Sequence, residues 1–310
     1  MTESFIPRQT LFKTDPASAE GAQERRYRLH RRFDRLGRLY GDGAVEGLMN
    51  AKVVVFGVGG VGSFAAEALA RSAIGRLVLV DGDDVCVTNA NRQLQALRGN
   101  IGEPKALVLR DRLRQINPQA DIRGERVFYN AERSDALLES PWGGPYDFVV
   151  DCIDNMTAKA HLLATCRARG LRVVSSMGAA ARRDPTQVRI ADLSETTGCP
   201  MAAELRKVLR RKHGFPREGT FGIEAVFSSE PRQWPRELTY DEGKGFRCVC
   251  PNRNTENSCD ARALIDGTAG FVTGTFGLTM ASVVVNRLAE AFPAAARPAP
   301  DRRGFRPAAE

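Results

Sequence analysis

Histidine is scarce in this chain. Three residues in 310, His30, His161 and His213, stand at no spacing that would pair them for catalysis. Chemistry that leans on an enzyme histidine is therefore not expected. The seven cysteines, Cys86, Cys152, Cys166, Cys199, Cys248, Cys250 and Cys259, include no C-x-x-C pair. That removes the paired thiolates that commonly hold a structural zinc. No internal repeat is present, which argues against a solenoid. The N-terminus is polar and lacks the apolar core of a secretory signal. Free thiols in a reduced cytoplasmic setting are the expectation. One long apolar run, 267–285, approaches the length of a membrane span. Its glycines and threonines suit a buried helix packed against a sheet. No transmembrane span is favoured, and peripheral contact with a membrane stays open.

What is present is ordinary in bulk and specific in detail. The chain is 43% hydrophobic and 26% charged, as a soluble globular protein is. Its formal net charge is +8. That balance suits an anionic partner such as RNA, and it also occurs on merely solvated surfaces. Residues 1–24 lack hydrophobic periodicity and read as a disordered tail, as do residues 291–310. Between them, 25–50 reads as basic helix broken at Gly41–Gly43. Strands at 52–57, 76–81, 121–128, 148–151 and 171–176 then alternate with helices at 61–73, 103–116, 131–139 and 156–169. This alternation predicts a Rossmann-like α/β fold with a doubly wound, mainly parallel sheet. Past residue 180 the pattern changes. A strand at 188–193, a helix opened by Pro200 and a strand at 223–228 lie in a region rich in Gly, Pro and Arg. One folded domain over 25–290 is expected, with a nucleotide-binding half at 25–180 and a substrate or dimer half at 181–290.

The segment Val53-Val-Val-Phe-Gly57-Val-Gly59-Gly60-Val-Gly62 runs from a buried strand through a glycine turn into a helix. Backbone N–H groups and a helix N-terminus can meet a phosphate chain there. Asp81 follows Gly57 by 24 residues, at the end of the next apolar run. An acid there suits a ribose hydroxyl, in a dinucleotide or a mononucleotide alike. Taken alone, the turn fits a nicotinamide-dependent oxidoreductase.

The residues downstream separate these readings. Asp81-Gly-Asp-Asp-Val-Cys-Val-Thr-Asn-Ala-Asn-Arg-Gln93 is followed by Gly102-Glu-Pro-Lys105 and by Asp151-Cys-Ile-Asp-Asn155. In that order, with the glycine turn, they resemble the adenylating enzymes related to ubiquitin-activating enzyme, which include ThiF, MoeB and HesA proteins. Arg38-Leu-Tyr-Gly41, Arg114-Gln-Ile-Asn-Pro118, Asp184-Pro-Thr-Gln187 and Thr273-Gly-Thr-Phe-Gly277 narrow the likeness to one branch, the tRNA threonylcarbamoyladenosine dehydratases (TcdA or CsdL type). It spans about residues 30–288.

The resemblance implies a ThiF/MoeB-type adenylation fold with a C-terminal extension. It implies ATP and Mg²⁺, and leaves open a monovalent cation that helps order the site. A substrate carboxylate would attack the α-phosphate of ATP and release pyrophosphate. Gly57, Gly59, Gly60 and Gly62 would line the phosphate turn, Asp81 would hold the ribose, and Asn89, Arg92 and Lys105 would contact phosphates. Asp154 would bind Mg²⁺, with Asn155 beside it. Taken singly, Lys105 could be a solvated helix lysine and Asp154 a helix N-cap. The resemblance also implies a homodimer in which Arg38, or Arg32, enters the partner's site. The substrate would be tRNA bearing threonylcarbamoyladenosine, with Arg206, Lys207, Arg210 and Arg211 as nucleic-acid contacts. A sulfur-acceptor or desulfurase partner stays open. Cys248, Cys250 and Cys259, spaced C-x-C-x₈-C, fall short of a tetrahedral set, so zinc is disfavoured there. The runner-up function is an adenylyltransferase that activates the Gly-Gly end of a sulfur-carrier protein. A non-catalytic binding module on a degenerate fold would not need the intact set of phosphate-contacting residues.

Overall fold

The computed structural model describes residues 31–238 and 265–292. The two tails and Cys248, Cys250 and Cys259 lie outside them, and so does the zinc expectation. Seven strands form one sheet: β1 (Lys52–Phe56), β2 (Arg76–Val80), β3 (Asp121–Glu125), β4 (Phe148–Asp151), β5 (Val173–Ser176), β6 (Val188–Asp192) and β7 (Glu224–Ser228). Their spatial order is β3-β2-β1-β4-β5-β7-β6. All neighbours run parallel except β6, which pairs antiparallel with β7 at the edge. The sheet thus continues across residue 180. The strand order reverses between β1 and β4, and ligands bind outside the carboxyl ends of strands at such a point.

The central strands read as unbroken apolar runs because both of their faces are covered. Side chains alternate between faces, so Val53 and Val55 enter one core while Val54 and Phe56 enter the other. The first core is closed by α2 (Asp42–Asn50), α3 (Gly62–Arg71), α4 (Lys105–Ile116) and α8 (Gly270–Ala289). The second is closed by α6 (Met156–Ala168) and α7 (Pro200–Lys212). Two short helices, α1 (Asp34–Tyr40) and α5 (Ser134–Leu138), complete the fold. The N-terminal helices part at Gly41, whose φ of 88° no helix permits. Gly43 lies inside α2, so the break is narrower than the sequence suggests.

The apolar run near the C-terminus becomes α8, shifted a few residues toward the C-terminus. By length and composition it could cross a membrane. It packs instead on α3 and the sheet, burying Val272, Phe276, Met280 and Val284. Each such side chain contributes about 1.5–3 kcal/mol. Gly274 and Gly277 bring α8 down on Phe64 and on the backbone of Val61. The helix therefore backs the glycine turn directly.

Candidate active site

The turn after β1 is built by two glycines packed against backbone, where a side chain would be strained. Gly57 has φ +81°, and a Cβ there would stand 2.8 Å from the Cys152 carbonyl oxygen. A Cβ on Gly62 would stand 1.8 Å from the Gly57 carbonyl oxygen. Gly59 and Gly60 are different. A Cβ on Gly59 would make only an ordinary contact with Gln93, and one on Gly60 would meet the Arg92 stem at 3.2 Å. The first pair shapes the loop, and the second pair forms its open lip. Of the amides that open α3, Ser63 N–H donates to the Gly59 carbonyl and Ala65 N–H to the Val61 carbonyl, both at 3.1 Å, so the helix start is tied back onto the glycine turn.

The peptide at Val58 is clamped from both sides. Asp81 Oδ2 accepts its N–H at 2.7 Å, and Gln95 Nε2 donates to its carbonyl at 2.6 Å. Asp81 Oδ1 accepts the Asp83 N–H at 2.9 Å. Asp81 thus braces the glycine turn through Oδ2 and shapes its own loop through Oδ1. Burial pushes the Asp81 carboxyl above its ordinary value; the Asp83 charge acts the same way, and Lys105 opposes them.

Lys105, the first residue of α4, is buried and donates from Nζ to Asp83 Oδ2 at 2.9 Å. Burial alone would lower its pKa. The charges of Asp81, Asp83 and Asp154 outweigh that and hold the ammonium above its ordinary value. The solvated-lysine alternative is thereby removed. The Lys105 ammonium thus lies in the field of three carboxylates, of which Asp83 pairs with it directly. The Asp83 carboxylate is the half-exposed one, with a side chain 39% accessible. The sequence reading passed over it, although the D-x-D spacing carries the signal.

Arg92 packs its stem on Gly60 and donates to the Thr88 carbonyl and to Asn91 Oδ1, both at 2.9 Å. Its guanidinium is therefore set at the lip of the turn. Asn89 is buried and accepts the Cys86 N–H at 3.1 Å, which shapes the segment that carries Arg92. Asp154 is exposed beyond β4. The N-cap of α6 is Asn155, whose Oδ1 accepts from Thr157 and Ala158 at 3.0 and 3.1 Å. The capping role weighed for Asp154 thus belongs to its neighbour.

Other expected site residues stand apart. Arg38 is exposed on α1 and pairs with Asp34 one turn away. Arg206 donates to the Thr196 and Leu193 carbonyls and to the Thr196 hydroxyl. Arg210 donates to the Pro216 and Arg217 carbonyls and lies over the Phe221 ring. These two arginines also secure local structure. Lys207 and Arg211 are exposed on the same helix, with Lys212 next to them.

Comparison with known proteins bears on the whole chain. The model of the ThiF family matches residues 33–302. A tRNA threonylcarbamoyladenosine dehydratase from Haemophilus influenzae is 40% identical over 83% of this chain and 93% of its own length. Its Escherichia coli counterpart is 38% identical with the same two coverages. The crystal structure of the Escherichia coli enzyme in complex with ATP superposes with a TM-score of 0.71 at 36% identity, covering 84% of this chain and 95% of that one. A family match over most of the chain and relatives of about 40% identity make this chain a member of the ThiF family.

Proposed function

We propose that this chain is an ATP-dependent tRNA threonylcarbamoyladenosine dehydratase. The observation that carries the reading is its 38–40% identity, over 83% of its length, to two enzymes of that name. The Escherichia coli enzyme has been solved with ATP and with AMP, the nucleotide consumed and the nucleotide released in such a reaction.

The threonyl carboxylate of the modified adenosine attacks the α-phosphorus, and the bond to pyrophosphate breaks. A carbamoyl nitrogen of the same nucleoside then attacks the acyl carbon. A five-membered ring closes and AMP leaves with the former carboxylate oxygen. The nucleoside loses the elements of water, and ATP is split to AMP and pyrophosphate. No enzyme nucleophile is required, because attacker and acceptor already share one molecule.

Negative charge shifts along the phosphates in the first step, so fixed positive charge must face them. Lys105 and Arg92 supply it, and the lip at Gly59 and Gly60 lets the phosphates approach the backbone. Asp81 keeps a lone pair on each oxygen and is the acid to hold the ribose, with Asp83 beside it. Among the described residues no group of three or more acidic, histidine or cysteine side chains could hold a metal. Mg²⁺ commonly binds through one or two carboxylates plus substrate phosphates. Asp154 is the carboxylate to hold it, and the ion when bound would shield phosphate charge. Lys207, Arg211 and Lys212 are the phosphate contacts for tRNA. Exposed Arg38 is the residue to enter the site of a second copy in a homodimer.

The test is direct. The protein is incubated with ATP, Mg²⁺ and tRNA bearing threonylcarbamoyladenosine, and the nucleosides are weighed. Loss of one water per modified nucleoside with equal release of AMP is expected. Unchanged nucleosides, with pyrophosphate exchange stimulated by a Gly-Gly carrier protein, would refute the reading in favour of the carrier-activating one.

A further inference from the structure

Directly beneath the site lies a charged group for which the reaction has no use. Lys159 on α6, Asp151 at the end of β4 and Ser175 on β5 are each completely buried. Lys159 Nζ donates to Asp151 Oδ2 at 2.5 Å and to Ser175 Oγ at 3.2 Å. Ser175 Oγ donates to the same Asp151 oxygen at 2.6 Å. The other oxygen of Asp151 accepts the Ile153 N–H at 3.1 Å. A buried ion pair is a poor way to stabilise a core, since desolvation offsets most of its attraction. A well-packed apolar pair would serve stability at least as well. Its place in the fold suggests another use.

Asp151 lies opposite Phe56 in β1 and Ser175 in β5, so it stands where the two arms of the sheet meet. The Cys152 N–H donates to the Phe56 carbonyl at 2.8 Å, and Gly57 rests against the Cys152 carbonyl. Three residues after Asp151 comes Asp154, and five residues after Asp154 comes Lys159, whose N–H closes the first turn of α6 on Asn155. The short loop bearing Asp154 is therefore tied down at both ends by one buried ion pair. We propose that Lys159 is a positioning residue: through Asp151 it fixes the β4–α6 loop so that the Asp154 carboxylate faces Lys105 and the phosphate turn. The proposal deepens the functional reading above and rests on Asp154 as the Mg²⁺ carboxylate.

The test uses the full chain and the double variant Asp151→Asn/Lys159→Met. It removes both charges together, so neither is left buried alone. Thermal unfolding establishes that it folds. Calorimetry then gives ATP affinity with and without Mg²⁺, and hydrogen exchange follows the amides of residues 152–158. The expected result is a roughly 10- to 100-fold loss in the Mg²⁺ enhancement of ATP binding, as when partners of metal ligands are removed. Faster exchange in the loop and a lower kcat with unchanged KM for tRNA accompany it. ATP binding without Mg²⁺ stays at the wild-type level. A folded double variant with wild-type exchange, Mg²⁺ enhancement and kcat would overturn the proposal. Asp154→Asn separates the two readings. If it keeps wild-type Mg²⁺ enhancement, the metal role of Asp154 fails, while exchange and kcat in the double variant still decide the positioning role. If the double variant does not fold, Ser175→Ala takes its place. It deletes one hydrogen bond at each partner and must show the same shifts in smaller measure; wild-type behaviour would again overturn the proposal.

Discussion

Gly59 and Gly62 belong to one motif, yet their replacement by alanine should fail in opposite ways. At Gly62 the new Cβ would fall 1.8 Å from the Gly57 carbonyl oxygen. Ordinary contact begins well beyond 3 Å, so the turn and α3 must separate by more than about 1 Å. The colliding atom is backbone, and no rotamer relieves it. Alanine is the better helix former by about 0.8–1 kcal/mol, which offsets part of the strain. Overpacking of this kind costs about 1–3 kcal/mol or more, so a net loss on the order of 1–2 kcal/mol is expected. For a chain of this size that lowers the unfolding midpoint by roughly 2–8 °C. At Gly59 the Cβ meets only Gln93, at 3.7 Å, and the backbone is not left-handed. Gly59→Ala should leave the midpoint within about 0.5 kcal/mol of wild type. Its methyl group stands at the open lip, so ATP affinity should fall about 10-fold or more. Thermal unfolding without nucleotide and calorimetry with ATP read the two effects separately. A Gly62→Ala protein as stable as wild type would refute the packing argument. A Gly59→Ala protein with wild-type ATP affinity would refute the placement of the phosphates.

Lys105→Met removes the cation shared by Asp81, Asp83 and Asp154. Allowing for solvent screening at Asp83, a stability loss of about 1–3 kcal/mol is expected in urea melts, together with weak ATP binding. The folded pKa of Lys105 is raised, so its pairing stabilises fully below the ordinary lysine value of about 10.4 and is lost as pH rises through the higher folded value. ATP affinity should accordingly show no Lys105 titration near neutrality, and a lysine-like step there would contradict the geometry. Asp192 accepts the N–H groups of Phe221, Gly222 and Ile223 at 2.8, 2.8 and 3.1 Å. Burial would raise its pKa, but these bonds and those from Ser194 hold it below the ordinary value. Its contribution is present above about pH 3.9 and fades as pH falls through the folded pKa. Asp192→Asn should cost about 1–3 kcal/mol at neutral pH, and the gap to wild type should close in acid. Arg206→Ala should lower the unfolding midpoint, whereas Lys207→Glu with Arg211→Glu should weaken tRNA binding and its salt dependence at an unchanged midpoint. Filter binding across a salt series distinguishes them.

Much of this fold was legible because its signals are local and repeated. Val53–Phe56, Leu77–Val80 and Phe148–Val150 announce strands buried on both faces, and the helices between them require a parallel sheet. The alternating register of β1 then follows without further information. The antiparallel pairing of β6 with β7 did not follow. Those strands are separated by α7 and an irregular stretch, and nothing in either one specifies its neighbour or its direction. The shift of α8 from 267–285 to 270–289 has a similar origin. Apolar composition marks a buried helix, but contact of Gly270 with the backbone of Asn91 and Arg92 fixes where it begins.

At the site, residue type predicted location better than role. Lys105, Arg92 and Asp154 fall where the motifs put them, because spacing from a strand end fixes the edge of the sheet on which a side chain sits. What each polar atom does there depends on partners distant in sequence. Asp81, expected to hold the ribose, also braces Val58 and Asp83, accepting one N–H on each oxygen. Arg206 and Arg210, expected at phosphates, also donate to the carbonyls of Thr196 and Pro216. In each case backbone N–H or C=O groups, which a sequence does not display, compete with a ligand for the side chain. A buried backbone group must be satisfied in every folded molecule, whereas a ligand is bound only part of the time. A side chain with several donors or lone pairs can still serve both: Arg92 donates to the Thr88 carbonyl and remains the proposed phosphate contact, so a backbone bond narrows a ligand role without deciding it.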